Sequence, residues 1–302
     1  MFSRLGFLTL VLCAQLAQAG QVYVVRPDGT DARRVTQDDD WAHGSPNWSP
    51  DGKQIAFDTW PEGPPVTVGA FFAPAVPTKQ EQVQIGVVSF EGGPTKRIGH
   101  GAMPSWSPSG DQIVCHTYTP TQQIVVTNPD GSGREAILDQ WGGPRWSPDG
   151  ASIFSVYRGG VARYDLASGK QTILFSGENL REGFHYHAGT NRFCCRTMRN
   201  TLLVVEDDPK RGRWKPRIRL TAASEIGHAS WSPDGKKIVF RLGDVRTYSR
   251  LALIDADGTG PPEQFPGLPA QWTCCNPRWS PDGEWIAFIR LDSPEFEADA
   301  EP

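Results

Sequence analysis

"RWSPDGASIF", residues 145–154, recurs with small changes as NWSPDGKQIAF (47–57), SWSPSGDQIVC (105–115), SWSPDGKKIVF (230–240) and RWSPDGEWIAF (278–288). The same local logic runs through every copy. Pro presets φ for a turn, Asp bonds back to its own backbone, and Gly takes the position that needs φ above zero. An apolar, β-prone run follows, such as Ile55-Ala56-Phe57 or Ile238-Val239-Phe240. A strand that is apolar at consecutive positions is covered on both faces. Each copy therefore reads as strand, tight turn, buried strand. The residues that carry this repeat are Trp48, Asp51 and Gly52; Trp106 and Gly110; Trp146, Asp149 and Gly150; Trp231, Asp234 and Gly235; and Trp279, Asp282 and Gly283.

A second phrase alternates with the first: VYVVRPDGTDARRVT (22–36), IGVVSFEGGPTKRIG (85–99), IVVTNPDGSGREAIL (124–138), VARYDLASGKQTIL (161–174) and LALIDADGTGPPEQF (251–265). Each is an alternating strand, a Gly-bearing turn and a more polar strand, which is a hairpin with a wetter second arm. The gap from Trp146 to Trp231 is twice the usual spacing. It holds a degenerate copy, FHYHAGTNRFCC (184–195), followed by LLVVEDDPKRGRWKPRIRLT (202–221). Six four-stranded units at this period predict an all-β, six-bladed β-propeller over residues 20–290. The chain opens on the second phrase and closes on the first. Hairpin 22–36 should thus complete the blade begun by Trp279 and leave no open edge strand.

The rest of the chain sets the context. Residues 1–19, MFSRLGFLTLVLCAQLAQA, combine one Arg, a short apolar run and Ala-Gln-Ala, the pattern of a secretory signal peptide with cleavage after Ala19. Export to the periplasm or the exterior is the expectation. No later segment is apolar for long enough to span a bilayer, so no membrane span is expected after signal removal. Residues 291–302 read as a disordered acidic tail. The formal net charge is −4, which gives no reason to expect a nucleic-acid partner. Outside the signal the cysteines are Cys115, Cys194, Cys195, Cys274 and Cys275. Cys115 and Cys195 fall in buried-strand patterns, and neither Cys-Cys pair has zinc-ligand spacing.

The WSPDG phrase followed by a short apolar strand resembles the WD-like repeats of the TolB-type propellers, over roughly residues 21–290. The resemblance implies a non-catalytic, periplasmic or secreted interaction module whose partner is a protein or a cell-envelope component, with no cofactor. The motif residues that match are structural, so no partner-binding residue carries over.

Two further features are candidates for function. His43, His100 and His228 precede marker tryptophans by a few residues, and His185 holds the same place in the degenerate blade. Those stretches are expected to lead into the innermost strands at the mouth of the central channel. Asp40, Glu182 and Glu225 each stand three residues before one of these histidines. A ring of His and carboxylate would suit one divalent transition metal. That is the basis of an alternative reading, a metal-dependent carbohydrate lyase or hydrolase similar to the propeller lyases that cleave oligogalacturonate. The second feature is a Pro-rich insert in blade 1 (58–82), whose apolar residues Val66, Val68, Phe71 and Phe72 make a candidate partner loop.

Overall fold

The structure is a computed structural model that describes residues 20–61, 82–181, 183–208, 210–211, 213–222, 224–245 and 248–291. The predicted signal, most of the blade 1 insert with Val66, Val68, Phe71 and Phe72, Glu182 and the acidic tail beyond Leu291 lie outside these residues.

Six four-stranded antiparallel sheets make up the molecule, a six-bladed β-propeller. The inner strands of blades 1 to 6 are Trp41–Trp48, Ala102–Trp106, Arg145–Trp146, His185–His187, Ile226–Trp231 and Thr273–Trp279. In blade 6 the second strand, Ile286–Leu291, pairs with the N-terminal strand Gly20–Val25 from Gly20↔Leu291 to Val25↔Ile286. Arg33–Arg34 then forms the outer strand. The N-terminal hairpin closes the ring as the alternation of phrases predicts.

Four of the five marker turns share one bonding pattern. Ser49 Oγ donates to Asp51 Oδ1 at 2.6 Å and accepts from the Gln54 amide at 2.9 Å, while Asp51 Oδ1 accepts from the Lys53 amide at 3.1 Å. Gly52 closes the turn with φ +71°. The same bonds recur around Ser147 and Asp149, Ser232 and Asp234, and Ser280 and Asp282. In blade 2 a Ser replaces the Asp. There Asp111, two residues on, takes the hydroxyl protons of Ser107 and Ser109 instead. The degenerate blade keeps the frame with other letters. Tyr186↔Phe193 holds the register of Trp231↔Ile238, and His187 Nδ1 stands in for the serine by accepting from the Thr190 amide at 3.1 Å.

The core is divided among the seams between blades. One cluster joins Ala56, Ile85 and Val87 of blade 1 to Trp106, Ile113 and Cys115 of blade 2. Another joins Cys194, Leu202 and Val204 of blade 4 to Trp231, Ile238 and Phe240 of blade 5. The marker Trp plugs the seam against the preceding blade, and the second strand is apolar on both faces because a blade lies on each side. All five described cysteines are buried free thiols. The basic run after Asp208 supplies an outer strand of blade 4, Arg213–Thr221, with mostly exposed side chains.

Candidate functional site

Near the axis, four of the six inner strands depart from regular pairing just before the marker residue. Register shifts fall between Gly44 and Asn47, Ala102 and Ser105, Ile226 and Ala229, and Cys275 and Arg278. Ser45, Met103, Gly183 and Asn276 take positive φ at this point. Pro46, Pro104, Pro144 and Pro277 follow or flank the irregularity on a strand edge that needs no ladder donor. Such bulges bend a strand and re-aim its side chains.

The residue just before the marker is aimed at the next blade. Asn47 Oδ1 accepts from the Trp106 amide at 3.2 Å, Ser105 Oγ from Trp146 at 3.4 Å, His185 Nδ1 from Trp231 at 2.9 Å, and Ser230 Oγ from Trp279 at 3.2 Å. Four of the six blades are stitched to a neighbour in this way. The corresponding residues of blades 3 and 6 are Arg145 and Arg278, and a guanidinium has no acceptor to offer a backbone amide. Neither can accept from a marker amide.

These two arginines come from opposite sides of the six-bladed ring, yet the charge of Arg278 holds Arg145 down after burial, the larger cause. They therefore converge near the axis. Arg145 Nη1 donates to the carbonyls of Met103, Pro104 and Pro144 at 3.1, 3.4 and 2.8 Å. Arg278, 5% exposed, has no acceptor for Nε or Nη1 among the described residues, and none of the described ion pairs includes it. Burial lowers its pKa to about 10, so it is a cation at neutral pH.

The second strands add a further tier. Three residues after the first apolar position of this strand stand Asp58, His116, Arg196 and Arg241 in blades 1, 2, 4 and 5. Glu225 Oε1 accepts from Arg241 Nη2 at 2.7 Å and lies 3.5 Å from Arg196 Nη1. Asp58 Oδ1 accepts from the Met103 amide at 3.4 Å, and burial pushes its carboxyl above the usual range. His228 registers the convergence directly. Burial, then Arg196, Arg278, Arg241 and Arg145, hold it neutral. Four guanidinium groups thus lie within electrostatic reach of His228; Glu225 bonds two of them, and Asp58 acts on Arg145 through its charge.

The histidines singled out by position separate into different environments. His43 is 2% exposed. It bonds Thr59 Oγ1 at 2.9 Å, packs on Phe57, and is pushed down to about 4 by burial. His185 and His228 do stand with the axial arginines. His100 does not lead into an inner strand. It ends the outer strand of blade 1, Lys96–His100, because that strand keeps pairing as far as Gln84↔His100 before the crossover. Asp40 is exposed, and Glu225 serves arginines rather than His228. Among the described residues no three His, Cys, Asp or Glu side chains stand close enough to hold a metal ion. His116, fully buried beside Tyr118 and Trp141, was not marked by position and is pushed down to about 3 by burial.

No protein-family model matches the chain. It is 24% identical over 274 residues to the uncharacterized protein Atu1656 of Agrobacterium fabrum, covering 82% of this chain and 84% of that one. Among solved structures it is similar to a protein assigned as a TolB from Agrobacterium tumefaciens. There the TM-score is 0.68 at 20% identity, over 91% of this chain and 99% of the other. TolB from Acinetobacter baumannii matches with a TM-score of 0.56 at 17% identity, over 90% of this chain and 63% of that chain. The chain has the fold of TolB-like propellers. No helix among the described residues is long and apolar enough to cross a membrane.

Proposed function

We propose that the protein is an exported, TolB-like binding scaffold that engages a protein or cell-envelope component through one face of the disc. Surface complementarity does the work, with no covalent step and no cofactor. The observation that carries this reading is the inequality of the two faces. One face presents the locked marker turns and the hairpin turns. The opposite face presents the crossovers between blades and the connections from second to third strands. In blade 1 that connection runs from Pro61 to Gln84, whereas in blade 3 it is the turn between Tyr157 and Gly160. Rigid scaffolds carry recognition on such variable loops, so the insert with Val66, Val68, Phe71 and Phe72 is assigned to the contact.

Two measurements test the proposal. N-terminal sequencing of the chain recovered outside the cytoplasm should begin at Gly20. In a cross-linking capture from the native envelope fraction, replacing residues 62–81 by a short Gly-Ser link should lower partner recovery at least tenfold. Lys53→Glu and Lys236→Glu, on the turn face, should leave recovery unchanged. Recovery indifferent to the deletion would overturn the assignment of the face.

A further inference from the structure

We infer that the propeller axis, between Arg278 of blade 6 and Arg145 of blade 3, is a binding site for one small oxyanion of the carboxylate, phosphate or sulfate class. The inference does not depend on the scaffold reading, since it concerns a free ligand on the axis rather than a partner on the face.

Charge is the first argument. Arg145, Arg196, Arg241 and Arg278 all lie within electrostatic reach of His228. Glu225 bonds to Arg196 and Arg241, and Asp58 is the carboxylate that acts on Arg145. Arg278 is left with no carboxylate among the described residues. An isolated buried cation is costly unless it is paired and hydrogen-bonded.

Donor direction is the second argument. Arg278 has two nitrogens, Nε and Nη1, without an acceptor among the described residues, and Arg145 Nε is in the same position. A guanidinium is a donor only, so what completes these groups must be an acceptor. Oxyanions are the acceptors that guanidinium groups bind best. His185 Nδ1 does not compete for that role, because it is already occupied by the Trp231 amide.

Access is the third argument. Glu225 has a side chain 31% exposed while its partners Arg196 and Arg241 are 8% and 4% exposed. The cluster therefore grades from buried to wet, and Glu225 marks its solvent-facing edge. Glu225 directly precedes the inner strand of blade 5 and thus lies towards the crossover face.

The test is isothermal titration of the full chain in Bis-Tris buffer at constant ionic strength set with sodium chloride. Sodium sulfate, sodium phosphate and sodium acetate are the probes, and the melting temperature is read in parallel. One saturable site per chain is expected, with at least a tenfold loss of affinity in Arg278→Gln and a smaller loss in Arg278→Lys. Arg278→Gln removes a buried charge that has no carboxylate, so the variant should fold. If it does not, the unmodified chain still decides the matter by its stoichiometry. Acetate binding without sulfate or phosphate binding identifies a carboxylate as the ligand, and the reverse identifies a tetrahedral oxyanion. No saturable heat with any probe, or a melting shift that sodium chloride reproduces at equal ionic strength, would overturn the inference. So would affinity retained in full by Arg278→Gln.

Discussion

Around each marker residue two kinds of position lie side by side, and they are built on opposite terms. In the turn, Ser, Asp and Gly repeat nearly letter for letter, and their hydrogen bonds are all spent within the turn. One residue before the marker the equivalent positions hold Asn47, Ser105, Arg145, His185, Ser230 and Arg278, six positions filled from four residue types. Repetition in the turn makes the ring. Variation just before the marker puts chemistry on its axis, since only a mixed column can place arginines in two opposed blades.

The largest test of this contrast lies in the seams. Trp231 is 1% exposed and packs with blade 4 and blade 5 residues. Trp231→Ala is expected to cost about 3–5 kcal/mol, the usual range for emptying a large buried aromatic site. The measurement is the urea midpoint with an unchanged m-value. A loss below about 1 kcal/mol would mean that blades are held by their axial stitches rather than by the marker residues.

Acid should act on the buried histidines next. His43 and His116 are pushed down to about 4 and about 3 by burial, so the folded chain keeps both rings neutral where the unfolded chain takes up protons. Their stabilising contribution is complete above about pH 6.5 and is lost as the pH falls towards those folded values. The expected loss is about 2 kcal/mol for each by pH 5, from the linkage relation. His185 and His228 shift the same way, while Asp58, pushed up by burial, works in the opposite sense. Urea midpoints at pH 7.5 and 5.0 read the sum. His116→Phe should shrink the difference, and an undiminished difference would remove His116 from the account.

Two glycines compare the axis with a turn directly. At Gly183, with φ +95°, a Cβ would fall 1.9 Å from His228 Cδ2; at Gly52, with φ +71°, it would meet nothing within 4 Å. Both substitutions carry the left-handed penalty of about 1–2 kcal/mol, and Gly183→Ala adds a clash. The axial variant should therefore lose about 1 kcal/mol or more beyond the turn variant. Equal midpoints would show that the axis yields as readily as a surface turn.

Much of the fold was legible because turn chemistry is local. Pro, Asp and Gly announce the turn wherever they occur, and the degenerate blade was found by spacing even though Tyr186 and His187 replace Trp and Ser. The axial site was harder to read for a physical reason. Arg145 and Arg278 stand first in two of the quoted phrases, but their meeting depends on blades 3 and 6 facing each other, a property of the closed ring and not of either segment. His100 was misplaced because the end of an outer strand and the start of the next inner strand are one residue apart in sequence. The readable signal, in retrospect, is two arginines in a column otherwise filled by Asn, Ser and His, residues that can accept from an amide.

The smallest effect isolates the turns from the axial column. Asp234 is exposed, and its carboxylate is held below the usual range by the Ser232 hydroxyl and then by the Lys236 amide. Its bonds organise one turn among five. Asp234→Ala should cost no more than about 0.5–1 kcal/mol, as for other solvent-screened surface contacts. Because no bond of this turn reaches the axial arginines, sulfate affinity should stay within twofold of the unmodified chain. Arg278→Gln should show the converse, a large change in anion affinity with the marker turns intact. If Asp234→Ala weakened sulfate binding as much as Arg278→Gln, the turns and the axial column would be mechanically coupled, and the separation of scaffold from site would fail.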